Sequence, residues 1–131
     1  MAFFTSGFFG DGSSGLGQSE KASEITTADA TETAALSIAI PTGSVMAIEV
    51  MVLGVDSTGA KYLSAHLGAL CSASAVLLPV QQIDWHNSPA EGAWAADITV
   101  TGGNVVVNVT GAVATSVKWT ARANYTTVSA S

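Results

Sequence analysis

The sequence predicts an all-β protein: an antiparallel β-sandwich or jelly-roll-like domain with an extended N-terminal arm. Three observations predict it. The last third of the chain alternates apolar and polar residues with a period of two, which places one face of each strand inward. Turn-forming residues punctuate the chain at short intervals, at Pro41-Thr-Gly43, Asp56-Ser-Thr-Gly59, Ser72-Ala-Ser74 and Gly102-Gly103. No long segment carries a helical period. Thr31 to Ala39 comes nearest to one, and its Thr and Ile content favours a strand.

Taken in order, residues 1–22 form the arm and residues 23–131 the sandwich domain. Five of the 13 glycines fall in residues 7–17, a concentration of backbone freedom that a packed domain does not need. All four phenylalanines are also here, at Phe3, Phe4, Phe8 and Phe9. A plain linker has no use for large aromatics. The two Phe-Phe pairs are read as partner-binding anchors on a flexible strap that dock on another subunit, the alternative being that they fold back onto this chain's own core.

Ser23 to Thr27 is a short strand, and Leu36 to Ile40 a second one that stops at the Pro41-Thr-Gly43 turn. Val45 to Val55 is apolar at both parities except at Glu49, so it is expected to be a central strand buried on both sides. Asp56 to Gly59 turns it into a partner strand over Ala60 to Cys71. Ala75 to Ile83 is expected to be a strand, with Pro79 implying an edge or a bulge. Asn87 to Gly92 is a loop. Trp94, Ala96, Ile98 and Val100 share one face, and Gly102-Gly103 makes the next turn. Val105, Val107 and Val109 alternate with Asn104, Val106, Asn108 and Thr110. Val117, Trp119, Ala121, Ala123 and Tyr125 alternate with Lys118, Thr120, Arg122, Asn124 and Thr126. Seven or eight strands with short turns make a sandwich.

Composition bounds the function. Charged residues make up 11 % of 131 residues, against about 25 % in ordinary soluble domains. Mean hydropathy is +0.43. Surface so poor in charge is expected to be covered by other subunits. Four Lys and Arg against ten acids give a net charge of −6, which argues against nucleic acid. No apolar run has the length of a membrane span, and the N-terminus lacks the basic region of a secretory signal. The lone Cys71 excludes an intrachain disulfide and a cysteine-built zinc site, and it reads as a small buried hydrophobe.

The chemical motifs are weak. Gly10-Asp-Gly-Ser-Ser-Gly15 spells a dinucleotide fingerprint but follows no strand and opens no helix. Asp84, His86 and Ser88 are close in sequence, yet a triad is defined by space; a solvated loop accounts for them. His66 and His86 are the only histidines, too few for a metal site without carboxylates. Asn108-Val-Thr110 and Asn124-Tyr-Thr126 are sequons by spelling and ordinary strand residues by position. Trp94 and Trp119 are assigned to the core. Trp85, expected in a loop between Asp84 and His86, is the candidate exposed contact. No catalytic, cofactor or metal residues are expected, and no enzyme activity.

Three stretches carry a resemblance: Ala93-Trp-Ala-Ala-Asp-Ile-Thr-Val100, Val105-Val-Val-Asn-Val-Thr-Gly111 and Val117-Lys-Trp-Thr-Ala-Arg-Ala-Asn-Tyr-Thr-Thr-Val128. Together with Thr27-Ala-Asp-Ala-Thr-Glu-Thr33, the pattern resembles the β-domain of structural proteins of tailed bacteriophages and prophages, over roughly residues 24–128. Family members often sit inside longer tail proteins. The loop before Trp94 departs from the family's acidic pattern. The resemblance implies a virion structural protein assembled in the host bacterial cytoplasm. The first expectation is a capsid decoration or cement protein, homotrimeric and bound to the major capsid protein or other virion proteins. The alternative is a tail-fibre, spike or baseplate module that binds host receptors through the loops at Asp56–Gly59 and Asp84–Gly92.

Overall fold

The computed structural model of the chain describes residues 19–87 and 94–129. These hold eight strands: β1 (Ser19–Thr27), β2 (Thr33–Ala39), β3 (Ser44–Asp56), β4 (Tyr62–Ser72), β5 (Gln81–Asn87), β6 (Ala95–Thr101), β7 (Asn104–Thr110) and β8 (Val117–Ser129). They form a five-stranded sheet in the order β1-β8-β3-β4-β5 and a three-stranded sheet in the order β2-β7-β6. Every pairing is antiparallel. The all-β sandwich expected from the sequence is the fold observed. As in a jelly roll, the first strand pairs with the last and the second with the seventh. The departure is the meander β3-β4-β5, which stays in one sheet and makes the two layers unequal.

The core lies between the layers. Met46, Ile48, Val50 and Val52 point inward from β3, and Leu63, Ala65 and Leu67 from β4. Val117, Trp119, Ala121 and Ala123 point inward from β8. They meet Leu36, Ile38, Ile98, Val105, Val107 and Val109 of the smaller sheet. At its centre the rings of Trp94 and Trp119 lie 5.8 Å apart, tilted by 56°, a geometry that aromatic pairs favour. Gly54 lies opposite Trp119 in the β3–β8 register, and its missing side chain leaves room for the indole. A bulge between Ala34 and Leu36 turns two successive residues, Ala35 and Leu36, into the core.

Turn chemistry follows the sequence. Gly102 and Gly103 both have positive φ, 58° and 83°, as a two-residue hairpin between β6 and β7 requires. The Asp56 carboxylate accepts from the Thr58 hydroxyl at 2.8 Å and from the backbone N–H groups of Thr58 and Lys61, tying the β3–β4 turn. At one edge of the sandwich β1 is fastened to β2. Lys21 Nζ donates to the Ser37 carbonyl at 2.7 Å, and the Ser23 hydroxyl donates to the Ala35 carbonyl. These bonds satisfy carbonyls on the open edge of β2.

Four local expectations are corrected. β1 begins at Ser19 rather than Ser23, because β8 is long enough to pair with it back to Tyr125. β3 is central in its sheet but buried on one face only, since the described residues build two layers and none of them forms a third over the larger sheet's outer face. Ala75 to Val80 is not a strand; after an isolated bridge between Cys71 and Val76, pairing resumes at Gln81, beyond Pro79, which has no N–H to donate. Trp85 lies within β5 opposite Ala65, half-buried and packed on the core, rather than exposed in a loop.

Candidate interaction surface

The two outer faces of the sandwich differ in chemistry. On the three-stranded sheet the outward residues are mostly polar, Ser37, Asp97, Thr99, Thr101, Asn104, Asn108 and Thr110, with Val106, Ala39 and Ala95 among them. There Asn108 Nδ2 donates to Thr99 Oγ1 at 2.9 Å. On the five-stranded sheet an apolar stripe along β3 runs between the polar outward residues of β8 (Lys118, Thr120, Arg122, Asn124, Thr126) and the mixed ones of β4. The period of two sends Val45, Ala47, Met51 and Leu53 of β3 outward, with Glu49 among them. Met51 is 49 % exposed and Leu53 54 %. Antiparallel register places Val128 beside Val45 and Leu70 beside Ala47. Beyond β4, Ile83 of β5 lies over Gly68, so close that a Cβ on that glycine would meet Ile83 Cδ1 at 3.3 Å. Leu77 and Leu78, in the connection before β5, are exposed as well.

Beside a shallow polar-lined depression of about 300 Å³ among Ala47, Glu49, Asn124 and Thr126, two more apolar ones mark this face. One, of about 350 Å³, lies among Met51, Leu53, Ser64, Thr120 and Arg122. The other, of about 340 Å³, is bounded by Ala47, Glu49, Gly68, Leu70, Leu78 and Ile83. Polar groups ring them. His66 Nε2 stands 3.7 Å from Glu49 Oε1, and Arg122 Nε is 3.4 Å from Glu20 Oε2. Apolar centres with charged margins are the anatomy of a protein-binding surface.

The residues singled out from the sequence fall as follows. Phe3, Phe4, Phe8 and Phe9 lie outside the described residues, as do the Gly10–Gly15 stretch and Ser88. Asp84 and His86 are brought together on the outer edge of β5, Oδ1 to Nε2 2.9 Å, both exposed. Asp84 also accepts from the Trp85 backbone N–H at 3.0 Å. Cys71 is buried, and burial pushes its thiol pKa up, away from the reactive thiolate. Trp94 and Trp119 are core residues. Among the described residues no group of three or more His, Cys, Asp and Glu is placed to hold a metal ion. Sequence reasoning missed Met51, Leu53, Leu78 and Ile83. For Met51 and Leu53 the signal is the two-sided apolar run in β3, which fits an exposed apolar stripe as well as double burial; Leu78 and Ile83 have no such signal.

No protein-family model matches the chain, and no curated protein does. Among solved structures the chain is similar to the tailspike protein of Acinetobacter baumannii phage AM24, with a TM-score of 0.49 and 7 % identity over 87 % of this chain and 27 % of that one. It is also similar to the tailspike protein of Acinetobacter phage vB_ApiP_P1, with a TM-score of 0.45 and 12 % identity over 85 % of this chain and 22 % of that one. The chain thus spans about a quarter of the length of either tailspike.

Proposed function

We propose that this chain is a non-catalytic structural module of a tailed-phage virion, held in its assembly through the outer face of the five-stranded sheet. The observation that carries the proposal is the cluster of large apolar side chains exposed along β3 and around β5 on that face. A free-standing sandwich gains nothing from exposing Met51, Leu53, Ile83 and Leu78 on one surface. A module that packs against a copy of itself or another virion protein buries them; since each is already about half covered, each stabilises the contact by half of the roughly 1.5–3 kcal/mol of a full burial. The low charge fraction fits the same use. The virion assignment is supported by the resemblance over residues 24–128 to phage structural β-domains.

Within the virion we place the module in the tail apparatus, in a fibre, spike or baseplate protein. The resembled domains often occur in longer tail proteins. Capsid decoration is the second reading, favoured by the Phe-rich arm as an anchor. Copy number separates the two. Gold-labelled antibody against the chain, on particles of the phage that encodes it, should mark the tail with a handful of copies. Label spread over the head by the hundred establishes decoration instead, and particles without label refute both.

A further inference from the structure

The outer face of the five-stranded sheet has two apolar depressions, and the chain carries an aromatic segment ahead of β1 that matches their spacing. We propose that residues 1–18 of one copy dock on this face of a second copy, with Phe4 in one depression and Phe8 in the other. The inference rests on the reading of this face as an interface between subunits, and it names the occupant.

The spacing carries the assignment. Along β3 one depression is lined by Met51 and Leu53, the other by Ala47 and, at its margin, Glu49. Their midpoints are four residues apart along β3, about 13 Å at a strand's rise, and about one strand apart across the sheet. In an extended segment side chains alternate, so Phe4 and Phe8 stand on one side, also four residues and about 13 Å apart. Thr5-Ser-Gly7 between them holds nothing bulky. Phe3 and Phe9 fall on the opposite side, six residues apart and too widely set for the same pair of depressions. The chemistry also matches: Met51 offers a thioether and Leu53, Leu78 and Ile83 offer branched aliphatics to an aromatic ring.

The direction of β1 favours a second copy over the same chain. β1 enters its sheet at Ser19, opposite Tyr125, while β8 and β3 run on past that point to Ser129 and Ser44. The axis of β1 points past that end of its own sheet and not across its outer face. Residues 9–18 span up to about 33 Å when extended, enough to reach a neighbouring subunit packed at that end.

The test uses the full chain with a benzophenone amino acid in place of Phe8, prepared in unlabelled and ¹⁵N-labelled forms and mixed before irradiation. The expected product joins the arm of one isotopic form to a peptide containing Met51–Leu53 or Leu78–Ile83 of the other. Cross-links confined to one isotopic form, or made elsewhere, overturn the proposal. In parallel, Phe4→Ala with Phe8→Ala should weaken self-association at least about tenfold, whereas Phe3→Ala with Phe9→Ala should weaken it much less. Equal effects of the two pairs overturn the register. Undiminished assembly of both pairs, together with loss of assembly in Met51→Asp, refutes the arm as occupant and leaves the face as an interface. A wild-type chain that stays monomeric refutes the interface and the arm together.

Discussion

The indole N–H of Trp119 donates to the hydroxyl of Thr27 at 3.0 Å, a buried bond between residues 92 positions apart. It fastens the end of β1 to the middle of the core. Thr27 Oγ1 is in turn packed under Gly111, where a Cβ would lie 2.8 Å from it. Among the described residues the other core indole, Trp94, has no acceptor for its Nε1.

Thr27→Val keeps the shape of the side chain and removes the acceptor. A buried donor left unpaired costs about 1–3 kcal/mol, so the variant should lose that much stability in denaturant melts. Trp119→Ala should cost more, about 3–5 kcal/mol, because it also empties the centre of the core. Lys118→Ala, one residue away on the outer face, should be nearly neutral. Similar midpoints for the Trp119 and Lys118 variants would contradict the register of β8.

Gly54→Ala is expected to destabilise by about 1–3 kcal/mol or more. The added Cβ would sit 2.5 Å from the ring of Trp119, which is fully buried and cannot swing away. Trp fluorescence should shift as the ring is displaced. A variant with wild-type stability and an unchanged spectrum would show that the indole does not lie across Gly54.

Met51→Asp combined with Leu53→Asp tests the apolar face without touching the core. Both side chains point outward, so the melting temperature of the isolated subunit should change little. The mass measured by light scattering should fall from an oligomer, with a trimer expected, to about 13.2 kDa. Retention of the wild-type mass would mean that this face is not what holds copies together.

Asp56 gives a pH signature. Partial desolvation works upward on its carboxyl, but hydrogen bonds from the Thr58 hydroxyl and from the backbone N–H groups of Lys61, Thr58 and Gly59 outweigh it and hold the pKa below the ordinary aspartate value. A folded-state pKa lower than the unfolded one favours the folded state above that range, and the contribution fades as pH falls through the folded value. Wild type should therefore be more stable than Asp56→Asn at neutral pH, with the difference shrinking in acid. A difference that grew toward acid would refute the turn geometry.

Much of this was legible in the sequence. The alternation of Val105, Val107 and Val109 and of Val117, Trp119, Ala121 and Ala123 states which side of β7 and β8 faces inward, because successive strand side chains point to opposite faces whatever the partner. Gly102-Gly103 specifies its turn for a similarly local reason: only glycine takes two successive positive φ values without steric cost. The outward side of β3 was not legible in this way. Val45, Met51 and Leu53 look the same in sequence whether a third layer covers them or water does, and that depends on how many layers the chain can build. Trp85 was misplaced because the pairing of β5 to β4 is set by partners some twenty residues away and not by its neighbours Asp84 and His86. Local alternation thus determined the strands, their inward faces and the turns. Tertiary structure alone decided which strands share a sheet, that Thr27 meets Trp119, and that the described residues leave one face of the larger sheet uncovered, because those outcomes depend on contacts between residues far apart in the chain.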